Sequence, residues 1–466
     1  MKYLIICLAL LGVVGCAEPT IDGPELENGQ LVEFTVTTSA YGELTAWLDV
    51  VRDGSSLQLR SRSHSSAYLA TLPTQGSWFS EGGLLVMEMR HQHRRPADEC
   101  PTGNIYTGRL ASFTGNLRSG FGSVRICFDG ENIVGDVADG HPFSGHVSGR
   151  ITGEPLVRDY AEIRDRIDVL LEQHLFDPRL TAGTEFELPR TIIDTSTMAA
   201  LDDFDFSIGY MFAASTMPFS HFQLYRPAGG LDALLQSRAA QGDQGEALSL
   251  EFDGGIAILT VDSFLGEHIG GQIDDAFVEL IESGVDKLIV DLRANSGGST
   301  AGAVLANHLA PVPGTVGAFV SADWYTEHNS PPSALQISAA PEWLGGTLDD
   351  FYAQIESEPV FGVSIQPSPA MFDGEIVVLI GPRSSSMTEL VAAALRDFDH
   401  ITLVGETTAG EMLSSRFFDA GGGYVVRIPV ADYFTQNGER IEGNGVEPEI
   451  EVPVDDAMSR ALEMLQ

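Results

Sequence analysis

The chain has 466 residues, with 66 Asp+Glu against 26 Lys+Arg, a formal net charge of −40. Hydrophobic residues at 43% and charged residues at 20% exclude a wholly disordered chain, and the length suits two or three domains. The acidity excludes nucleic acid as a partner, because two polyanions repel, and it disfavours an anionic membrane surface reached without an anchor.

Residues 1–16 read MKYLIICLALLGVVGC. One Lys followed by a short apolar run ending in small residues predicts a secretory signal over 1–15, too short for a spanning helix. Val13-Val14-Gly15-Cys16 resembles a bacterial lipobox, which makes Cys16 the expected lipidation site and 16–27 a polar tether. The implied location is a bacterial cell envelope, periplasmic or surface-facing. Cys7 leaves with the signal, so Cys100 and Cys127 remain. In an exported chain two leftover thiols are expected to pair as a disulfide. His91 and His93 lie nearby, but the spacing fits no strong zinc pattern, and neither a metal nor any other cofactor is expected.

Over 28–155, stretches such as LVEFTVTT, LTAWLDVV and SVRICF alternate with period two between Gly, Asn and Ser turns. That predicts an all-β module, with no catalytic constellation to give it a role. Residues 156–252 change texture to helical spacing, with Tyr160, Ile163, Ile167, Leu170 and Leu171 on one stripe and a second helical stretch over 196–216. From 253 to 466, apolar strands (GIAILTV, KLIVDLR, EIVVLIG, ITLVGE) alternate with helical segments, which predicts an α/β core with a largely parallel sheet. Residues 311–370, rich in Pro, Ser and Ala, read as an insertion or cap.

In such a sheet, functional groups gather where strands end and helices begin. Asp291 to Gly298 (DLRANSGG) runs from a strand into a Gly pair, which lets backbone N–H groups approach an oxyanion; it also fits an ordinary turn. Gly381 to Glu389 (GPRSSSMTE) places serines at a helix N-terminus, where unpaired N–H groups and the dipole suit a nucleophile that generates an oxyanion, or plain N-capping.

Taken in order, VDLRANSGG, GPRSSSMTELVAAALRD, VGETTAG and NGERIEGNGVEPEIEV resemble the tail-specific (C-terminal-processing) serine peptidase family, over about residues 156–460. The resemblance implies a ClpP/crotonase-like core and places the nucleophile at Ser386, three before Glu389, with Ser384 and Ser385 as turn residues. Many members carry a lysine base after VGETxG. Here Glu411 occupies that place, and lysine occurs only as Lys2 and Lys287, so a Ser–Lys dyad is not expected. A branch that includes the tricorn protease uses Ser, His and Glu. Matching it nominates His221 in Ser220-His221 as the base, with Ser220 in support and His268 as competitor. Glu442 in EGNGVEPE becomes the orienting carboxylate. Met387 with Gly297 or Gly298 would supply the oxyanion hole. Relatives often insert a PDZ module between these segments; about 30 residues separate His221 from GGIAILTV, too few to hold one.

The expectation is a lipid-anchored serine endopeptidase acting on polypeptides outside the cytoplasm, of unspecified oligomeric state. The alternatives are a catalytically silent hydrophobic-ligand-binding or scaffold protein on the same fold, and an esterase using the same triad.

Overall fold

The computed structural model describes residues 26–53, 56–62, 85–93, 100–112, 122–129, 131–139, 144–153, 158–242, 247–266, 268–343 and 345–466. The expected signal, Cys16 and the tether up to residue 25 lie outside the described residues. The chain divides into two units.

The first is an eight-stranded antiparallel barrel. Its strands are β1 (Leu31–Thr38), β2 (Gly42–Asp53), β3 (Ser56–Ser61), β4 (Leu85–His93), β5 (Asn104–Ser112), β6 (Gly122–Asp129), β7 (Asn132–Ala138) and β8 (Gly145–Thr152). β1 pairs with β8 along its whole length, from Leu31 opposite Thr152 to Thr38 opposite Gly145, so the sheet closes and leaves no unpaired edge. Period-two patterning decides the inside: Val32, Phe34 and Val36 on β1, Leu44, Ala46, Leu48 and Val50 on β2, and Val124, Ile126 and Phe128 on β6 are all buried. Tyr106 meets Phe128 edge-on at 5.3 Å. Cys100 and Cys127 are joined as a disulfide.

The main body of the second unit is Val157–Gln466. It opens with α1 (Tyr160–His174), capped by the Asp159 carboxylate, which accepts from Glu162 N–H at 3.0 Å. Tyr160, Ile163, Ile167 and Leu171 form its buried stripe. The helical stretch expected over 196–216 is the end of one helix and the whole of the next, α2 (Glu187–Ala199) and α3 (Asp203–Ala214). Extended Ala200 breaks them, and the Asp202 side chain caps the new start through Asp205 N–H.

The chain continues through β9 (Gln223–Tyr225), α4 (Gly230–Gly242), β10 (Leu248–Asp253), β11 (Ile256–Val261), α5 (His268–Ser283), β12 (Lys287–Asp291) and α6 (Ala301–Leu309). Next come β13 (Gly314–Ser321), α7 (Ala322–Glu327), α8 (Ala334–Ser338), β14 (Glu342–Trp343), α9 (Leu348–Ser357), β15 (Val360–Ile365) and β16 (Glu375–Ile380). The last elements are α10 (Met387–Leu395), β17 (Ile401–Gly405), β18 (Ser414–Gly421), β19 (Tyr424–Thr435), β20 (Ile450–Glu451) and α11 (Ala457–Leu465).

Sheet one has the order β10-β11-β12-β16-β17-β20, parallel except for β10. Its central strands are buried on both faces. Leu288, Val290, Ile376 and Val378 join the core with α5, α6 and α10, while Ile289, Val377 and Leu379 face Ala457, Ala461 and Leu465 of α11. Sheet two has the order β14-β15-β13-β19-β18, with β9 added beside β19. Residues 311–370, expected as an insertion or cap, contribute β13, β14 and β15 to it. Tyr424, Val426 and Ile428 of β19 pack with α1 and α3, while Val430, Ala431 and Tyr433 join the core shared with sheet one.

Candidate active site

β12 and β16 are parallel neighbours, with Asp291 opposite Leu379, so both strands deliver their C-terminal loops to the same edge. Hydrogen bonds then sew the loops together. Ser384 donates its hydroxyl to Leu292 C=O at 2.9 Å, and Ser385 donates to Ser296 C=O at 3.1 Å. The two serines beside Ser386 are thus occupied in building the turn.

Asn295 is the hub of this junction and is fully buried. Its Nδ2 donates to Val261 C=O at 2.9 Å, and its Oδ1 accepts from Gly297 N–H at 2.9 Å and Thr388 Oγ1–H at 2.8 Å. One amide therefore ties β11, the glycine turn and the first turn of α10. Sequence reasoning missed Asn295, since Asn before Ser-Gly-Gly reads as an ordinary turn residue.

Ser386 stands at the N-terminus of α10 with φ +56°, a left-handed conformation uncommon outside glycine. Its N–H is shared by Glu411 C=O and Glu389 Oε2, both at 3.0 Å. Glu389, which entered the sequence reading only as the end of the Ser-x-x-Glu pattern, is buried. Besides Ser386 it accepts from Thr408 Oγ1–H at 2.6 Å, Gly410 N–H at 2.7 Å and Glu411 N–H at 2.9 Å. Burial still raises its carboxyl above the ordinary range, against those hydrogen bonds.

Gly297 and Gly298 press against this turn. A Cβ on Gly297 (φ +87°) would lie 2.8 Å from Ser386 Cβ and 3.0 Å from Met387 N; one on Gly298 (φ +148°) would lie 2.3 Å from Leu265 N. Both positions require glycine on two counts, conformation and space. Gly297 N–H is committed to Asn295. Among the described residues the N–H groups of Gly298 and Met387 have no acceptor; for Met387 this follows from its place in the first turn of a helix.

On the opposite wall, Ser220 and His221 precede β9, and His221 also has positive φ, +64°. Glu442 is buried beneath them and does not touch the imidazole. It accepts Ser220 N–H at 2.7 Å, Ser220 Oγ–H at 3.0 Å and Met412 N–H at 2.8 Å, while Ser220 Oγ lies 2.6 Å from His221 Nδ1. The hydroxyl has one proton. An ionised Glu442 can only accept it, so Ser220 must take its other bond from Nδ1–H, which leaves Nε2 with the free lone pair. Burial first, then the nearby Arg427 guanidinium, holds His221 well below the ordinary imidazole range. Burial pushes Glu442 up, opposed by the hydrogen bonds from Ser220 and Met412.

A cavity of about 530 Å³ brings these walls together, lined by Ser220, His221, Gly297, Gly298 and Ser386. Glu411, at the position where a lysine base would stand, lines it with an exposed side chain. Lys287 donates to Leu465 C=O and is not among the lining residues, and neither is His268.

Residues 255–452 match the profile of Peptidase family S41. The carboxy-terminal processing protease CtpA of Bacillus subtilis (strain 168) is 25% identical over 204 residues, 44% of this chain and 36% of that protein. The carboxyl-terminal-processing protease of Synechocystis sp. (strain ATCC 27184 / PCC 6803 / Kazusa) is 28% identical over 178 residues, 38% of this chain and 34% of that protein. The chain spans about a third of the length of these curated relatives. Among solved structures, the photosystem II D1 C-terminal processing protease aligns over 66% of this chain and 98% of that chain at 14% identity, with a TM-score of 0.41.

Proposed function

We propose, from the match of residues 255–452 to the profile of peptidase family S41, that the protein is a serine endopeptidase that cleaves polypeptides through an acyl-enzyme on a ClpP/crotonase-like core. The observation that carries this reading is the chain Glu442–Ser220–His221 opening on the same cavity as Ser386 and the two glycines.

In this reading His221 Nε2 removes the Ser386 proton as Oγ attacks the substrate carbonyl. Negative charge develops on the carbonyl oxygen and is met by the N–H groups of Gly298 and Met387. Gly297 acts as a spacer, because its own N–H is held by Asn295. The protonated imidazole then passes the proton to the leaving amine, and water reverses the sequence to release the acyl group. Glu442 steadies the imidazolium through the Ser220 hydroxyl, which makes the array four residues rather than three. Neutral His221 at pH 7 is the form that can accept a proton.

The substrate reaches this site without a PDZ module: between His221 and β10 the described elements are β9 and α4. Export by the segment 1–15 and anchoring through lipidated Cys16 complete the proposal, with the protein on the periplasmic or outer face of a bacterial envelope. The all-β module 28–155, the helical segment 156–252 and the core 253–466 are its proposed domains.

Hydrolysis of an unstructured protein substrate such as casein tests the reading. Ser386→Ala and His221→Ala should each reduce cleavage by at least 1,000-fold, in keeping with what removal of a nucleophile or base costs in other serine hydrolases. Cleavage by Ser386→Ala at the wild-type rate would contradict it.

A further inference from the structure

The cavity that holds Ser386 and His221 is also lined by two guanidinium groups, Arg238 of α4 and Arg427 of β19. They flank one ring. Arg238 Cζ lies 4.9 Å and Arg427 Cζ 6.0 Å from the centroid of Phe417. Arg427 sits in the middle of sheet two, opposite Phe417 on β18 and opposite Gln223 on β9, two residues after His221. Its Nε donates to Ser415 Oγ at 2.6 Å.

What these arginines lack among the described residues is a counter-ion. Most other arginines of this unit are paired, among them Arg158 with Asp203, Arg293 with Asp291 and Arg440 with Asp432, the exceptions among the described residues being Arg190 and the exposed Arg383. Among the described residues, neither Arg238 nor Arg427 has a carboxylate within ion-pair distance. Carboxylates are not scarce, since the chain carries 66 Asp+Glu against 26 Lys+Arg. Two like charges that share one cavity are costly unless an anion joins them. Burial first lowers Arg427 from the ordinary guanidinium range, with the neighbouring Arg238 adding to the depression and the Tyr225 and Tyr352 phenols opposing it. The remaining titratable groups of the cavity are the neutral His221 and the exposed carboxylate of Glu411, whose own carbonyl holds Ser386 N–H. The cavity is therefore polarised, acidic beside the nucleophile and basic at the Phe417 end.

We propose that Arg238 and Arg427 form a subsite for a carboxylate of the polypeptide substrate, beside the scissile bond, and so determine specificity. The proposal rests on the peptidase reading of the same cavity. Two sources supply that chemistry in a polypeptide, an Asp or Glu side chain and the free C-terminus. A planar guanidinium accepts either through paired N–H···O bonds, and a neutral or basic residue leaves both cations uncompensated. Occupancy also reaches the base. Neutralising Arg427 removes one of the two influences that depress His221, so an anionic substrate strengthens the group that deprotonates Ser386.

The test separates binding from chemistry. Binding of unlabelled, N-acetylated Ala/Leu hexapeptides to the Ser386→Ala protein is measured by calorimetry in three forms: amidated and uncharged, amidated with one Glu moved through the positions, and without Glu but ending in a free C-terminal carboxylate. At least one anionic form should bind about tenfold or more tighter than the neutral one, as expected for a charge-assisted pair. Adding Arg238→Gln or Arg427→Gln should shrink that ratio to below about threefold. Arg238 is half-exposed, so its variant stays informative even if the Arg427 variant fails to fold. Whether Glu or the free terminus carries the gain identifies the source. Equal affinity for all forms, or no binding of any, overturns the subsite. Fluorophosphonate labelling of the wild-type protein reports separately on the peptidase reading: an adduct together with charge-blind binding sinks only the subsite, and charge-selective binding without an adduct sinks only the peptidase.

Discussion

Ser386 and His221 both hold their backbones at positive φ, +56° and +64°, a conformation that costs a non-glycine residue about 1–3 kcal/mol. The surrounding hydrogen bonds keep them there, donated by Ser386 N–H to Glu389 and the Glu411 carbonyl and by Ser220 N–H to Glu442. The fit around Ser386 leaves no room for a methyl group. Gly297→Ala should lower kcat by about 100-fold or more, the loss typical of a misplaced oxyanion donor, as read by steady-state kinetics on a fluorogenic peptide. His221 gives a prediction in pH. Its folded value lies below the unfolded imidazole's, so the base stays neutral and active as pH falls past 6.5, and the acid limb of kcat/KM should lie below 6.5. The same depression means that folded stability begins to be lost as pH drops below 6.5, where the unfolded chain takes up the proton first. In Arg427→Gln the acid limb should move to higher pH, because one of the two depressing influences is gone. Ser386, His221 and the glycine pair were legible because their types and spacing are part of an ordered set of motifs. Asn295, Arg238 and Arg427 were not, because their importance lies in partners far away in sequence, or in the lack of one.

At the scale of elements, the junctions after β12 and β16 matter together because the two strands are adjacent and parallel, as the apolar runs foretold. The run 311–370 was harder to read. Its Pro-, Ser- and Ala-rich composition resembles a loop, yet pairing of β13 with β15 and β19 makes it part of sheet two. Long-range pairing overrides local composition there. The link between Glu442 and His221 likewise belongs to no single element, since Ser220 precedes β9 and Glu442 follows β19. It predicts non-additivity. Ser220→Ala and Glu442→Gln should each reduce kcat by a similar factor, on the order of 10²–10⁴ by comparison with an orienting carboxylate elsewhere, and the double variant should be little worse than either. Multiplicative losses in the double variant would show that Glu442 acts on His221 by another route.

For the molecule as a whole, a net charge of −40 sets a repulsion that salt can screen. Raising NaCl from 20 to 500 mM should increase the melting temperature by a few degrees; a flat or falling response would mean that paired charges outweigh the repulsion. The barrel has a second stabiliser. The Cys100–Cys127 link spans 27 residues, and closing a loop of that length contributes about 3–4 kcal/mol. Reduction should therefore raise amide exchange in β5 and β6 well before it affects β12 or β16. Alternating patterning made the barrel's strands readable, whereas its closure through β1 and β8 depends on residues about 115 positions apart and left no local trace.

The central claim is that Ser386 is a nucleophile activated by His221. The most direct measurement is to treat the purified protein with a fluorophosphonate, digest it and locate the adduct by mass spectrometry. A single adduct on Ser386, lost in His221→Ala, is the result predicted. An adduct on Ser384 or Ser385, or one on Ser386 that survives in His221→Ala, would contradict the account.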